Sequence, residues 1–428
     1  MSEADGRQAT LARLSRTWDA LGGIAAQGSQ AGASFVLQIL AVRLLGLEGL
    51  GVFAALYGIV IVATGVATGF VGDSLTVLDR SVTAVRAGLQ TWWAGLSAGL
   101  GLIVAAGAWA TGMVEGRTAL AFGLATTLFL LEDALRRLLM ATLRFWSLVL
   151  VDLTALAAAL ATIFVIFGPA GLGIIHLLLA LAIGQATASV VAVLLLPASE
   201  RHLSPWRGAD LRTVGAYGTN RAVQLSLRPG LQAVTRLLGL ALVSAVAVGE
   251  LEAARVYIAP TLIVIGGLVS VLFAHYAAAK HNPLAGQMRL ADRHALYLAA
   301  GSGLLCGGFL LSLPWLGPVL TGGAFDLSTL ALVGWTLRSM AFAGSMPFMS
   351  LAAIRGMQRI TLTLTLVEFA VVLCAVVTLL MAGGSILWVP YLLAIGTATT
   401  GAIVRTRVLP RARAQEAAGA AQVRGPHD

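Results

Sequence analysis

The stretch YGTNRAVQLSLRPGLQAVTRLLGLALVSAVAVG, residues 217–249, decides how the chain is read. Its second half is apolar enough to cross a membrane, and its first half carries Arg221, Arg228 and Arg236 into the same helix. A charge at the centre of a bilayer costs about 2.5–3.5 kcal/mol on insertion scales, so such residues are seldom idle. The segment therefore reads as the wall of a polar space within a membrane protein.

The rest of the sequence supports that reading. Of its 428 residues 58% are hydrophobic and only 11% charged, against about 25% charged in a soluble domain. The apolar residues come in blocks of about 20 without period-2 alternation, which predicts membrane helices and not a β-barrel. Twelve spans are expected, at roughly 21–45, 50–72, 89–112, 118–141, 146–168, 171–196, 217–247, 253–277, 294–316, 328–352, 360–382 and 385–404. The connections between them alternate in charge. One side, with the two ends of the chain, holds 21 of the 28 Lys and Arg residues, the other only Arg43, Arg117 and Arg255. That asymmetry puts both termini in the cytoplasm and the protein in the cytoplasmic membrane. The 1–20 stretch reads as a cytoplasmic segment without a signal peptide. The 405–428 stretch reads as a frayed basic tail suited to an anionic lipid surface. The net charge of +9 follows from this topology and does not point to nucleic acid. Cys306 and Cys374 lie in apolar segments and read as packing residues.

The chain also repeats itself. Shifted by about 204 residues, Glu48, Val52, Phe53 and Ala55 meet Glu252, Val256, Tyr257 and Ala259. Six spans per half give both halves the same orientation, so the expected architecture is two pseudo-symmetric six-helix lobes around a central cavity. The expected lobes are 21–197 and 217–404, joined by a cytoplasmic linker at 198–216.

Gln27, Gln30, Ser34 and Gln38 share one face of the first span, and Arg221, Gln224, Arg228 and Gln232 share one face of the seventh. As a functional site these are facing polar walls; as a structural feature they are interhelical hydrogen-bond glue. The arginines favour the first reading, because no acid stands at helical spacing from them. Arg338 in the tenth span is a further candidate cation. Pro229 predicts a bend or hinge near Leu225. Glu132 and Asp133 precede Arg136 and Arg137 by four residues each and predict two intrahelical ion pairs. Glu368, with no basic residue three or four away, is a candidate coupling-ion carrier, as is Asp133. Asp152 reads as wet, and Asp73, Asp79, Arg80 and Arg86 as a solvated turn. There is no Walker A sequence, no catalytic constellation and no call for a cofactor or metal, so an enzyme is not expected.

LLGLEGLGVFAALYGIVIVATGVATGF, residues 44–70, resembles the start of the second helix in polysaccharide flippases of the multidrug/oligosaccharidyl-lipid/polysaccharide exporter superfamily. Leu45, Gly46, Glu48, Gly51 and Phe53 fit that family's turn, and Leu50 replaces its usual aromatic. RLLGLALVSAVAVGELEAARVY, residues 236–257, resembles the matching turn of the second half, with Thr235 and Arg255 departing from the pattern. The resemblance implies a flippase for a polyprenyl-diphosphate-linked oligosaccharide in surface polysaccharide biosynthesis. It would work by alternating access, alongside a polysaccharide polymerase or glycosyltransferases. Arg221, Gln224, Arg228, Gln232, Arg236 and Arg338, with Gln27, Gln30 and Gln38, would then face the diphosphate and sugar. The alternatives are a cation-coupled multidrug exporter of the same fold and a membrane-embedded glycosyltransferase or polymerase. The short outer connections count against an enzyme.

Overall fold

The computed structural model describes residues 3–168, 171–414 and 416, and every regular element among them is helical. The helical stretch Glu3–Ala67 is two helices meeting at Gly46, whose φ of 64° and ψ of −178° break the ladder. A residue with a Cβ pays for a positive φ, which glycine adopts freely. We call the helix before this break α1 and the one after it α2. There follow α3 Thr83–Ala110, α4 Gly116–Ala141, α5 Phe145–Ala161, α6 Ile174–Leu195, α7 Leu211–Leu242 and α8 Ala245–Ala278. The chain ends in α9 Leu284–Leu311, α10 Thr329–Ile354, α11 Gln358–Met381 and α12 Val389–Ile403. Short π-helical turns extend α2 to Gly72, α5 to Phe167 and α12 to Val408.

Among the described residues ten stretches are long and apolar enough to cross a membrane, with Leu21–Gly72 counted as one. That stretch divides at Gly46 into α1 and α2, and α7, whose in-span arginines lower its hydropathy, is the remaining long helix, so the spanning helices among the described residues number twelve. The protein is an all-α membrane protein of twelve transmembrane helices.

The chain forms two compact units, Met1–Val234 and Thr235–Asp428, and the division falls within α7. In the first unit α4 packs on α3 and α6, and α5 on α6 and α1. Leu135, Leu139, Leu148, Val151, Ala188 and Ala192 fill its core. In the second unit α10 packs on α9, α12 and α8. The fourth helix of each half thus meets the third and the sixth, as the repeat predicts.

Several boundaries differ from expectation, α9 starting at Leu284 and not near 294, and the two ends of α7 show the cause. The seventh span does not run on to residue 247. Ser244 starts α8, its side chain accepting the Ala247 N–H at 3.1 Å. An apolar run on both sides of one serine hides that cap from hydropathy alone. At its other end α7 begins at Leu211, because Asp210 caps it. The Asp210 carboxylate accepts the Thr213 N–H at 3.0 Å, and the Asp210 N–H donates to the Ala84 carbonyl at 2.9 Å. Hydrogen bonds from Thr213, side chain first and backbone second, hold the Asp210 carboxyl below its ordinary value.

The expected frayed tail is docked at its start. Val404, Val408 and Leu409 are buried with Tyr276, Leu284 and Leu351. Arg405 forks onto Asp292 at 2.5 and 2.8 Å. Residues 417–428 lie outside the described residues.

Candidate functional site

In the first unit the site begins with Arg136 on α4. Its Nε and Nη2 donate to the two oxygens of Asp152 on α5 at 2.8 and 3.1 Å, and Nη2 also reaches the Ala26 carbonyl at 3.2 Å. Ser29 on α1 donates to the same carboxylate at 2.5 Å. Both charged side chains are 4% exposed. This overturns two expectations. Asp152 is buried, not wet, and Arg136 does not pair with Glu132. A bidentate fork onto a carboxylate in a neighbouring helix is stronger and more directional than an intrahelical pair.

Glu132 is thereby left facing a small polar cavity. Its lining includes Gln30 and Ser34 of α1, Tyr57 of α2, Asp152 and Gln185. The cavity is about 50 Å³, room for roughly three waters. The Gln185 Oε1 is buried without a hydrogen-bond partner among the described residues. Two of the four polar residues of the α1 stripe, Gln30 and Ser34, thus line a polar space within the first unit. Gln27 is exposed, and Gln38 donates to the Ser34 carbonyl at 3.2 Å. The second predicted ion pair does form. Arg137 Nε meets Asp133 at 2.7 Å, and Thr68 also donates to Asp133 at 3.2 Å.

The first part of α7 is pressed against α2. A Cβ on Gly69 would lie 2.2 Å from the Ala222 backbone, one on Gly65 3.0 Å from the Leu225 carbonyl, and one on Gly218 2.6 Å from Phe70 Cα. Backbones approach so closely only over glycine, and Gly65 and Gly69 have the small-xxx-small spacing of tightly packed membrane helices. Leu225 is four residues before Pro229, whose ring removes the N–H that would bond its carbonyl. The helix nevertheless runs on through Pro229.

Arg221 lies on this seam. Its Nε meets Asp73 at 2.6 Å, and its Nη1 donates to Gln224 at 3.0 Å. The acid that helical spacing does not supply comes from the end of α2. The 73–86 stretch is correspondingly more than a solvated turn, since Arg80 and Arg86 face Glu200 at 3.7 and 3.8 Å. Arg228 and Gln232 are half-buried further along α7.

In the second unit Arg236 is 7% exposed and forks onto Glu252 of α8 at 2.7 and 3.1 Å. Arg255 adds a third bond to that carboxylate at 2.6 Å. Arg236 thus shares α7 with Arg228 but serves a buried ion-pair network. Arg338 of α10 sits over the Phe342 ring, 5.7 Å from its centroid. Glu368 on α11 accepts the Thr397 hydroxyl at 2.6 Å, and its other oxygen is buried without a partner among the described residues. Cys306 and Cys374 are free thiols, the first buried and the second exposed. No group of His, Cys, Asp and Glu that could hold a metal occurs among the described residues.

Sequence reasoning missed Asp73, Glu132, Tyr57 and Gln185 as site residues. One signal was available. Arg136 and Asp152 stand sixteen residues apart, as do Arg236 and Glu252, and each pair spans a tight turn between two helices.

No family model matches the sequence, and no curated protein matches it. Solved structures do match its fold. An outward-facing multidrug resistance MATE family transporter of the MOP superfamily has a TM-score of 0.59 and 14% identity, covering 92% of this chain and 95% of its own. The Vibrio cholerae MATE transporter VcmN has a TM-score of 0.59 and 14% identity, covering 94% and 95%. A MOP superfamily transporter from Pyrococcus furiosus, described as having a binding pocket of reverse polarity that suggests a different function, has a TM-score of 0.56 and 13% identity, covering 92% and 95%. The chain therefore has the fold of the MATE transporters of the MOP superfamily.

Proposed function

We propose that the protein moves a polyprenyl-diphosphate-linked oligosaccharide across the cytoplasmic membrane by alternating access, and that Arg228 engages the diphosphate. The observation that carries this reading is a cationic, amide-bearing face in the middle of a membrane helix, formed by Gln224, Arg228 and Gln232 on α7. A diphosphate entering an apolar core needs a cation to offset its lost hydration. Arginine supplies paired donors that match phosphate oxygens. Arg221 and Arg236 are held by Asp73 and Glu252, so they serve by positioning α7.

The acid-lined cavity of the first unit favours a second reading, cation-coupled export of drugs. Glu132, released from Arg136, is the better-placed coupling carboxylate there, since Asp133 is occupied by Arg137 and Thr68. A coupling site serves either cargo. What separates the two is the sign of charge on α7, and a cavity for organic cations calls for acids and aromatics where this helix carries arginine. The Pyrococcus furiosus transporter's reversed pocket polarity shows how a change of charge within one fold is read as a change of function.

The test is complementation of surface glycan export with protein abundance followed in parallel. Arg228→Ala is expected to abolish export at normal abundance. Arg228→Lys should keep part of it, because the charge survives and the fork is lost. Full export by Arg228→Ala would exclude the proposed role.

A further inference from the structure

A second cavity of the first unit lies outside the polar site. It opens at the arginine-rich end, between the end of α2, α3, α4, α6 and the connector that leads to α7. Its volume is about 290 Å³, near the lower end of the roughly 300–1,000 Å³ of small-ligand pockets. Leu89, Leu135, Leu138 and Leu196 make the floor apolar. The mouth carries Arg80, Arg86 and Arg201 against the single acid Glu200. Glu200 meets Arg80 and Arg86 only at 3.7 and 3.8 Å, too far for a hydrogen bond, and Arg86 is fixed at the mouth by donating its Nε to the Arg80 carbonyl and its Nη1 to the Ser199 carbonyl, both at 3.0 Å. Two donors in the lining, Arg80 Nη1 and Trp93 Nε1, are shut off from solvent without a hydrogen-bond partner among the described residues.

Buried donors without acceptors are costly, and a guanidinium and an indole N–H in one lining with an apolar floor match an anion carrying a hydrocarbon chain. The mouth also bears marks of the membrane interface. Leu203, in the lining, is 86% exposed, and Trp206 is 73% exposed with the Arg207 guanidinium 5.9 Å from its ring centroid. Exposed aromatic and basic residues of this kind sit at headgroup level.

We propose that this cavity binds an anionic phospholipid, with its phosphate on Arg80 and Arg86, a headgroup or ester oxygen on the Trp93 N–H, and an acyl chain along the leucine floor. The site lies within the first unit and does not depend on the cargo assigned to α7. Bound lipid would tie α3, α4 and α6 to the connector, which already holds Gln90 through His202 and Ser204.

The experiment uses the full chain purified in neutral detergent and titrated with phosphatidylglycerol or with phosphatidylcholine of the same chains. Native mass spectrometry and thermal unfolding are the readouts. Phosphatidylglycerol should be retained in preference and raise the melting temperature. Arg80→Gln should weaken that binding roughly fivefold, the value of one basic contact to an anionic surface. Leu203→Glu adds a carboxylate at a position exposed enough to leave folding intact, and should weaken it as well. Three results would each overturn the proposal: equal binding of the two lipids, unchanged phosphatidylglycerol binding in both variants, or the same stabilisation by inorganic phosphate alone. The last would mark a free-anion site.

Discussion

Two arginine–carboxylate forks set the chemistry at the scale of single residues. Arg136–Asp152 ties α4 to α5 and Arg236–Glu252 ties α7 to α8, each across a short turn and each nearly shut off from solvent. Removing one partner of a buried pair leaves an uncompensated charge and costs about 3–5 kcal/mol, whereas apolar replacement of both can be nearly neutral. Arg136→Met is therefore expected to lower the melting temperature of the purified protein sharply, and Arg136→Met with Asp152→Leu to recover most of the loss. Equal destabilisation by the single and double variants would show that packing, not charge, dominates at this site. These residues also mark how far the sequence could be read. That arginines lie inside spans was plain, and so was their rarity. Which carboxylate each would choose was not, because helical spacing offers Glu132 to Arg136 while the fold brings Asp152 closer to ideal fork geometry. The same limit hid Asp73 from Arg221, since the two are 148 residues apart in the chain.

At the scale of elements, the seam between α2 and the first part of α7 rests on absent side chains. Gly65, Gly69 and Gly218 let the two backbones touch, and the Asp73–Arg221 pair closes one end of that contact. Gly69→Val should force the helices apart, with an overpacking cost of about 1–3 kcal/mol or more. Size-exclusion profiles of fluorescent fusions should show loss of monodisperse protein. Gly28→Val, where a Cβ meets nothing within 4 Å, is the matched control and should behave as the parent. Wild-type behaviour of Gly69→Val would mean that the seam yields easily. The apolar blocks themselves were legible, because hydropathy and length report exactly what a membrane helix needs. The break at Gly46 could be anticipated from the LGLEG turn. The cap at Ser244 could not, since a serine in an apolar run serves within membrane helices as well as at their ends.

At the scale of the molecule, charge placement predicts the orientation. The connections after α2, α4 and α6 hold arginines that the fold uses locally. Arg80 and Arg86 face Glu200, Arg144 donates to the Leu195 carbonyl at 2.7 Å, and Arg201 donates to Leu194 and Leu196. Packing alone could have drawn them there. The corresponding connections of the second half are basic again, with Lys280, Arg289, Arg293, Arg355 and Arg359, and there Arg355 donates to Gln287 and to the Asn282 carbonyl. A recurrence of basic connections in both halves is what the positive-inside rule leads one to expect of one cytoplasmic side. Reporter fusions at Arg207 and His281 are accordingly expected to read as cytoplasmic, and fusions at Gly112 and Gly383 as external. An external signal at Arg207 would reverse the whole assignment and would move the lipid cavity to the opposite leaflet. A cytoplasmic signal at Gly112 would leave the orientation intact but would remove α3 from the spanning set, against its 28-residue length.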